Sequence, residues 1–221
     1  MDKRFWAIIG VLLLGFGGML VLNGRNESAG TISATNHVIG NTNSKVTLLE
    51  YGDFQCSACQ SFYPVIKQVK EKYADKIAFQ FRNLPLSSVH PNAFAGSRAA
   101  EAAANQGKFW EMHDLLYENQ DPRGASGWVA SKDVLSEYFV SYAKKLNLNE
   151  TQFKTDFASN ATNKKINADI DAFAATKEKV STPTFFINSK LVDSSKLLDE
   201  RGVPSLAAFS KVIDEALAQQ K

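Results

Sequence analysis

What most restricts this chain is a change of hydrophobic period within about forty residues. Val46-Thr47-Leu48-Leu49-Glu50-Tyr51 is a short apolar and β-branched run after the turn-prone Asn41-Thr42-Asn43-Ser44, and it reads as a central strand. From Ser57 to Tyr73 apolar residues recur at helical spacing: Phe62, Val65, Ile66, Val69 and Tyr73. Pro64 inside that pattern predicts a kink. Lys76 to Leu84 then alternates, with Ile77, Phe79 and Phe81 inward and polar neighbours outward. Strand, helix, strand at this length is a βαβ unit.

Beyond Leu84 a long stretch carries no strand signal. Ala93 to Gln106 is rich in alanine, Phe109 to Asn119 has helical spacing, and Gly107 separates them. After a loop from Asp121 to Ser131, Ser131 or Asp133 is placed to cap a helix over Val134 to Leu146. Asn149 or Thr151 opens a short helix, and Asn160 to Lys179 continues in helical spacing. Strand chemistry returns at Val180 to Asn188, with a short strand expected near Leu191-Val192. Ser205 caps a last helix over Leu206 to Gln219. The inventory is βαβ, helical block, ββα: an α/β layered domain.

The N-terminus is of another kind. Phe5 to Leu22 holds no charged side chain, and a run of about 18 apolar residues is near the lower limit for a spanning helix. Signal-peptide apolar regions are usually shorter, about 7–15 residues. Lys3 and Arg4 ahead of the run favour a cytoplasmic N-terminus. Residues 1–22 are therefore expected to be a transmembrane signal anchor, 23–36 a flexible tether, and 37–221 an extracytoplasmic domain. Cleavage near Ala29 or Ala34, which would release the domain, is the alternative. Either reading puts the domain in an oxidising compartment, where disulfides persist. A formal net charge of +2, with basic residues scattered, disfavours nucleic acid as a partner.

Cys56 and Cys59 are the only cysteines, and they sit at the first strand-to-helix turn of the βαβ unit. The first sulfur then meets unpaired N–H groups at a helix start and should ionise more readily than a free thiol. A structural disulfide is the common role of two cysteines in an exported chain, but so short a loop constrains the unfolded state little. Zinc would need about four ligands, and His37, His90 and His113 are dispersed. A redox pair is the stronger reading, in a thioredoxin-like context. No metal, flavin or nucleotide cofactor is indicated.

Three stretches carry a resemblance: LLEYGDFQCSAC, RNLPLSSVHPNAFAGSRAAEAAANQGKFWEMHDLLYENQ and VSTPTFFIN. Together and in this order they resemble the DsbA-like thiol–disulfide oxidoreductases, a thioredoxin fold with an inserted helical domain, here over about residues 90–179. The resemblance implies that Cys56 is the nucleophile and that Cys59 resolves the mixed disulfide. It implies a cis Thr182–Pro183 bond facing the cysteines, with the Thr182 backbone free to pair with an extended substrate. It also implies that Glu50, six residues before Cys56, is a buried acid relaying the proton of Cys59. His90 is expected to enter a helix packed on the redox domain, and Phe109, Trp110 and Met112 to be core.

Ser57-Ala58 departs from the family, lacking the histidine of its strongest oxidants and the proline of many members. Ser57 could still donate a hydroxyl hydrogen bond to the thiolate. The implied function is a monomeric dithiol oxidase of cysteine-containing exported proteins, re-oxidised by a quinone-linked membrane partner. A reductase or isomerase is the alternative within enzymes, and a non-catalytic chaperone or binding module the alternative outside them.

Overall fold

The computed structural model describes residues 33–121 and 123–220. The period change is realised as β2 (Thr47–Gly52), α1 (Ser57–Lys72) and β3 (Ala78–Asn83), with β2 and β3 parallel and Glu50 opposite Phe81. Parallel neighbours need a crossover, and α1 supplies it. With β1 (His37–Gly40), β4 (Thr184–Ile187) and β5 (Lys190–Leu191) they form one mixed sheet in the order β1-β3-β2-β4-β5. All contacts other than β2–β3 are antiparallel. Pro64 lies inside α1, which runs on to Lys72 as one element.

β3 departs from the one-sided strand its alternation suggested. Ala78 and Gln80 are buried along with Phe79 and Phe81, because β3 is covered on both faces. Phe79 packs among α1 and α7 (Leu206–Ala218), while Gln80 donates to the Thr35 carbonyl at 3.3 Å. β1 had no sequence signal: His37-Val38-Ile39-Gly40 is short and half exposed, and pairing with β3 alone makes it a strand.

Phe62, Ile66 and Val69 of α1 join Phe209 and Ile213 of α7 in a core on one face of the sheet. Phe173 of α6 (Asn160–Ala175) packs with Tyr51 and Phe186 on the other. Between β3 and α6 lies the helical block. It comprises α2 (Ala93–Ala104), α3 (Phe109–Glu118), a π-helical turn (Leu135–Phe139), α4 (Val140–Lys145) and α5 (Glu150–Ala158). The expected α-helix over Val134 to Leu146 is thus π-helical in its first half. Asn149 and Ser159 cap α5 and α6 through their side chains, whereas Ser205 precedes α7 without a side-chain cap bond. Phe109 and Met112 are buried, and Trp110 packs partly buried against two core clusters.

The anchor expected over residues 1–22 and the tether up to Ile32 lie outside the described residues. Among the described residues no helix is long and apolar enough to cross a membrane. The last part of the expected tether is not loose. Thr35 is buried and donates its N–H and hydroxyl to the Asp169 carboxylate of α6 at 2.6 and 2.8 Å, beside two bonds from Asn83. A buried carboxylate needs such donors, and it fastens residue 35 to the domain.

Candidate active site

The core of the helical block includes Phe54, Cys56, Cys59 and Phe81 together with Ala99, Met112, Leu116 and Trp128. The redox pair therefore lies at the seam between sheet and insertion. β2 ends at Gly52, where an added Cβ would overlap the Phe81 ring. The chain then turns through Asp53 to Cys56 before α1 begins.

Asp53 builds that turn. It is fully buried, and its Oδ1 accepts from the Gln55 N–H at 2.7 Å. Its carbonyl accepts from the Cys56 N–H at 3.1 Å. Its Oδ2 accepts from the Leu86 N–H at 2.9 Å and from His90 Nδ1 at 2.7 Å. The Asp53 N–H lies 3.5 Å from Cys59 Sγ. Other insertion residues finish the clamp. Gln120 Nε2 donates to the carbonyls of Phe54 (2.6 Å) and Cys56 (3.2 Å), and the Gln55 side chain bonds Asn92 and Val129.

Sequence reasoning missed Asp53 and Gln120. The one signal for Asp53 was its place two residues before a backbone N–H in a turn, where an aspartate can cap its own loop. His90 is more than a helix-entry residue, since it grips the turn three residues before Cys56.

Cys56 occupies the cap position of α1 in extended conformation. Its side chain is 8% exposed, against 1% for Cys59, and both thiols are free. Cys56 Sγ lies 3.4 Å from the Thr182 carbonyl oxygen, and the Thr182–Pro183 bond is cis. The structure thus brings Cys56, Cys59 and Thr182 together, with Pro183 next in line. Ser57 and Ala58 are exposed at the helix start. The Ser57 hydroxyl has no partner among the described residues, and Ala58 acts through its backbone. No grouping of three or more metal-ligating side chains occurs among the described residues.

A family profile described as thioredoxin matches residues 33–215. The chain belongs to the thioredoxin family. Among solved structures it is similar to oxidised BdbD from Bacillus subtilis, with a TM-score of 0.66 and 18% identity over 85% of this chain and 98% of that one. It is also similar to alpha-DsbA1 from Wolbachia pipientis, with a TM-score of 0.65 and 20% identity over 84% and 92%. At these identities the likenesses show the fold alone. Among curated sequences it is 37% identical over 174 residues to the Na(+)/H(+) antiporter NhaA 3 of Salinispora tropica, covering 79% of this chain and 25% of that protein. The chain spans about a quarter of the length of the curated relatives it matches.

Electrostatics separate the two sulfurs of this thioredoxin-family site. A hydrogen bond from Cys59 is the largest influence on Cys56. It outweighs burial and is joined by Thr182 and the N–H groups of Cys59 and Ala58, so that the Cys56 thiol is held down at about 5. Burial pushes Cys59 well above its ordinary range, and the neighbouring Cys56 and Glu50 charges push the same way. Glu50 is buried and has no side-chain hydrogen bond among the described residues. Burial raises its carboxyl to about 8, against the opposing charge of Lys70 and with a smaller upward push from Cys56. At pH 7 the site holds a thiolate outside, and a thiol and a mostly protonated acid inside.

Proposed function

We propose that the chain is an extracytoplasmic thiol–disulfide oxidoreductase working as a dithiol oxidase of exported, cysteine-containing proteins. One observation carries this reading. Cys56 sits at the start of α1 in contact with Thr182, its thiolate stabilised, above a sealed Cys59 that stays protonated. A stable reduced thiolate makes the disulfide form the stronger oxidant.

In the oxidised protein a client thiolate attacks Cys56 Sγ, and the Cys56–Cys59 bond breaks with its electron pair going to Cys59. Protonated Glu50 is the proton donor for that buried sulfur, a task its raised pKa suits. A second client thiolate then attacks the client sulfur of the mixed disulfide, and Cys56 leaves as thiolate. The client loses two electrons and gains a disulfide; the protein is left in its dithiol form. The Thr182 backbone, which lies beside Cys56 Sγ, is the docking edge for the client backbone. A low pKa also makes Cys56 a good leaving group, which speeds release.

The apolar run from Phe5 to Leu22 supports placement at the outer face of a membrane, where a quinone-linked partner could restore the disulfide. Ser57-Ala58 favours the second reading, a reductase or isomerase, because neither residue between the cysteines is a cation.

The chemistry is tested by expressing the Cys59→Ala chain in cells and resolving reducible adducts. Clients joined through Cys56, and absent from the Cys56→Ala,Cys59→Ala double variant, are expected. Absence of any adduct would leave only a binding module.

A further inference from the structure

Cys56 and Thr182 meet at 3.4 Å, and the sequence neighbours of each line a cavity. One, of about 740 Å³, has the sequence neighbours of Cys56, Gln55 and Ser57, in its wall. The other, of about 370 Å³, has the sequence neighbours of Thr182, Ser181 and Pro183, in its wall. An extended client whose sulfur reaches Cys56 and whose backbone follows Thr182 lies against both.

The cavities differ in charge. The larger one carries two cations, Arg123 and Lys132, and no carboxylate among its described lining residues. Arg123 shares its guanidinium with Asp121 at 3.2 Å, outside that wall. Lys132 is exposed and has no ion-pair partner among the described residues. The smaller cavity presents Glu178 and Asp193 against one cation, Lys179. The larger cavity is also preformed, since Gln55 and His90 in its wall are fixed by the bonds that clamp the active-site turn. Val89, 67% exposed, offers an apolar contact at its rim.

We propose that the larger cavity selects client segments with acidic side chains beside the reacting cysteine. The inference rests on the oxidoreductase reading above. Two effects act in one direction. Cations in a cleft raise the local concentration of an acidic segment. They also offset the neighbouring carboxylates that would otherwise hold the client thiol protonated.

The test uses the oxidised full chain and three peptides with the same cysteine pair, flanked by Glu, Gln or Lys. At about 20 mM salt the Glu peptide should be oxidised roughly three- to tenfold faster than the Lys peptide. The ratio should shrink towards one at about 0.5 M salt. It should fall or invert in Lys132→Glu, with the Gln peptide as each protein's reference. Equal rates for the Glu and Lys peptides, or a ratio unmoved by Lys132→Glu, overturn the assignment of this cavity. Failure to oxidise even the Gln peptide overturns the oxidoreductase reading instead.

Discussion

His90 donates through Nδ1 to the Asp53 carboxylate at 2.7 Å, and the Asp53 N–H in turn lies 3.5 Å from Cys59 Sγ. A residue of the insertion thereby grips the turn that presents both cysteines. Replacing Asp53 with Ala strips acceptors from the N–H groups of Gln55 and Leu86. A buried N–H left unpaired costs about 1–3 kcal/mol, and part-burial of these two keeps the pair in the lower part of the summed range. Asp53→Ala should therefore lose about 2–4 kcal/mol in urea denaturation, and the reduced form should react faster at Cys59 with a small alkylating agent. A loss below 0.5 kcal/mol, roughly the scatter of a neutral surface change, would contradict this role for the turn.

Glu50 gives the fold a pH dependence of definite sign. Its folded pKa is raised to about 8 from 4.5. The stability it contributes is fully present below 4.5, where both states hold the proton, and is lost as pH rises through 8. In the reduced chain the Glu50 contribution should fall between pH 5 and 8 by about 3–5 kcal/mol, while Cys56, held down at about 5, contributes with the opposite sign over the same window. Glu50→Gln removes the falling contribution and leaves that of Cys56, so the variant should gain stability relative to the parent as pH rises, whatever its own cost at pH 5. Denaturation curves of the two proteins at pH 5, 6.5 and 8 decide it, and parallel pH profiles contradict it.

Cys56 should titrate with a midpoint near pH 5, read as thiolate absorbance in the reduced chain. Its largest support comes from Cys59, so Cys59→Ala should move the midpoint upward. Below that midpoint reduction of the disulfide takes up two protons, and above it one. The reduction potential should accordingly change by about 60 mV per pH unit below pH 5 and about 30 mV above it, up to about pH 7.

Ala58 is exposed at the start of α1, so a larger side chain fits there. Ala58→His places a cation within reach of the thiolate. It should lower the Cys56 midpoint and raise the potential by about 30 mV for each tenfold gain in stability of the reduced form. An unchanged potential would mean that the helix terminus already supplies all the stabilisation the sulfur can use.

The parts of this fold that were legible in the sequence are those whose neighbours lie nearby in the chain. The switch from period 2 to helical period marks β2, α1 and β3, and a cysteine pair at the first turn needs only that context. β1 was hidden because half its residues are exposed and its pairing with β3 is non-local. Asp53 was hidden for a similar reason. Its partners Leu86 and His90 are 33 and 37 positions away, and an aspartate after a glycine otherwise reads as ordinary turn chemistry. Thr35 looked like linker because polar, small residues also suit a tether; only the buried Asp169 of α6 distinguishes the two.

The direction of electron flow is tested most directly by equilibrating the full chain with glutathione buffers of graded redox ratio and measuring the fraction of Cys56–Cys59 disulfide. A stabilised thiolate at Cys56 predicts an oxidising couple, above about −180 mV. A potential near about −270 mV, in the range of cytosolic reductants, would contradict the oxidase account and make this protein a reductase.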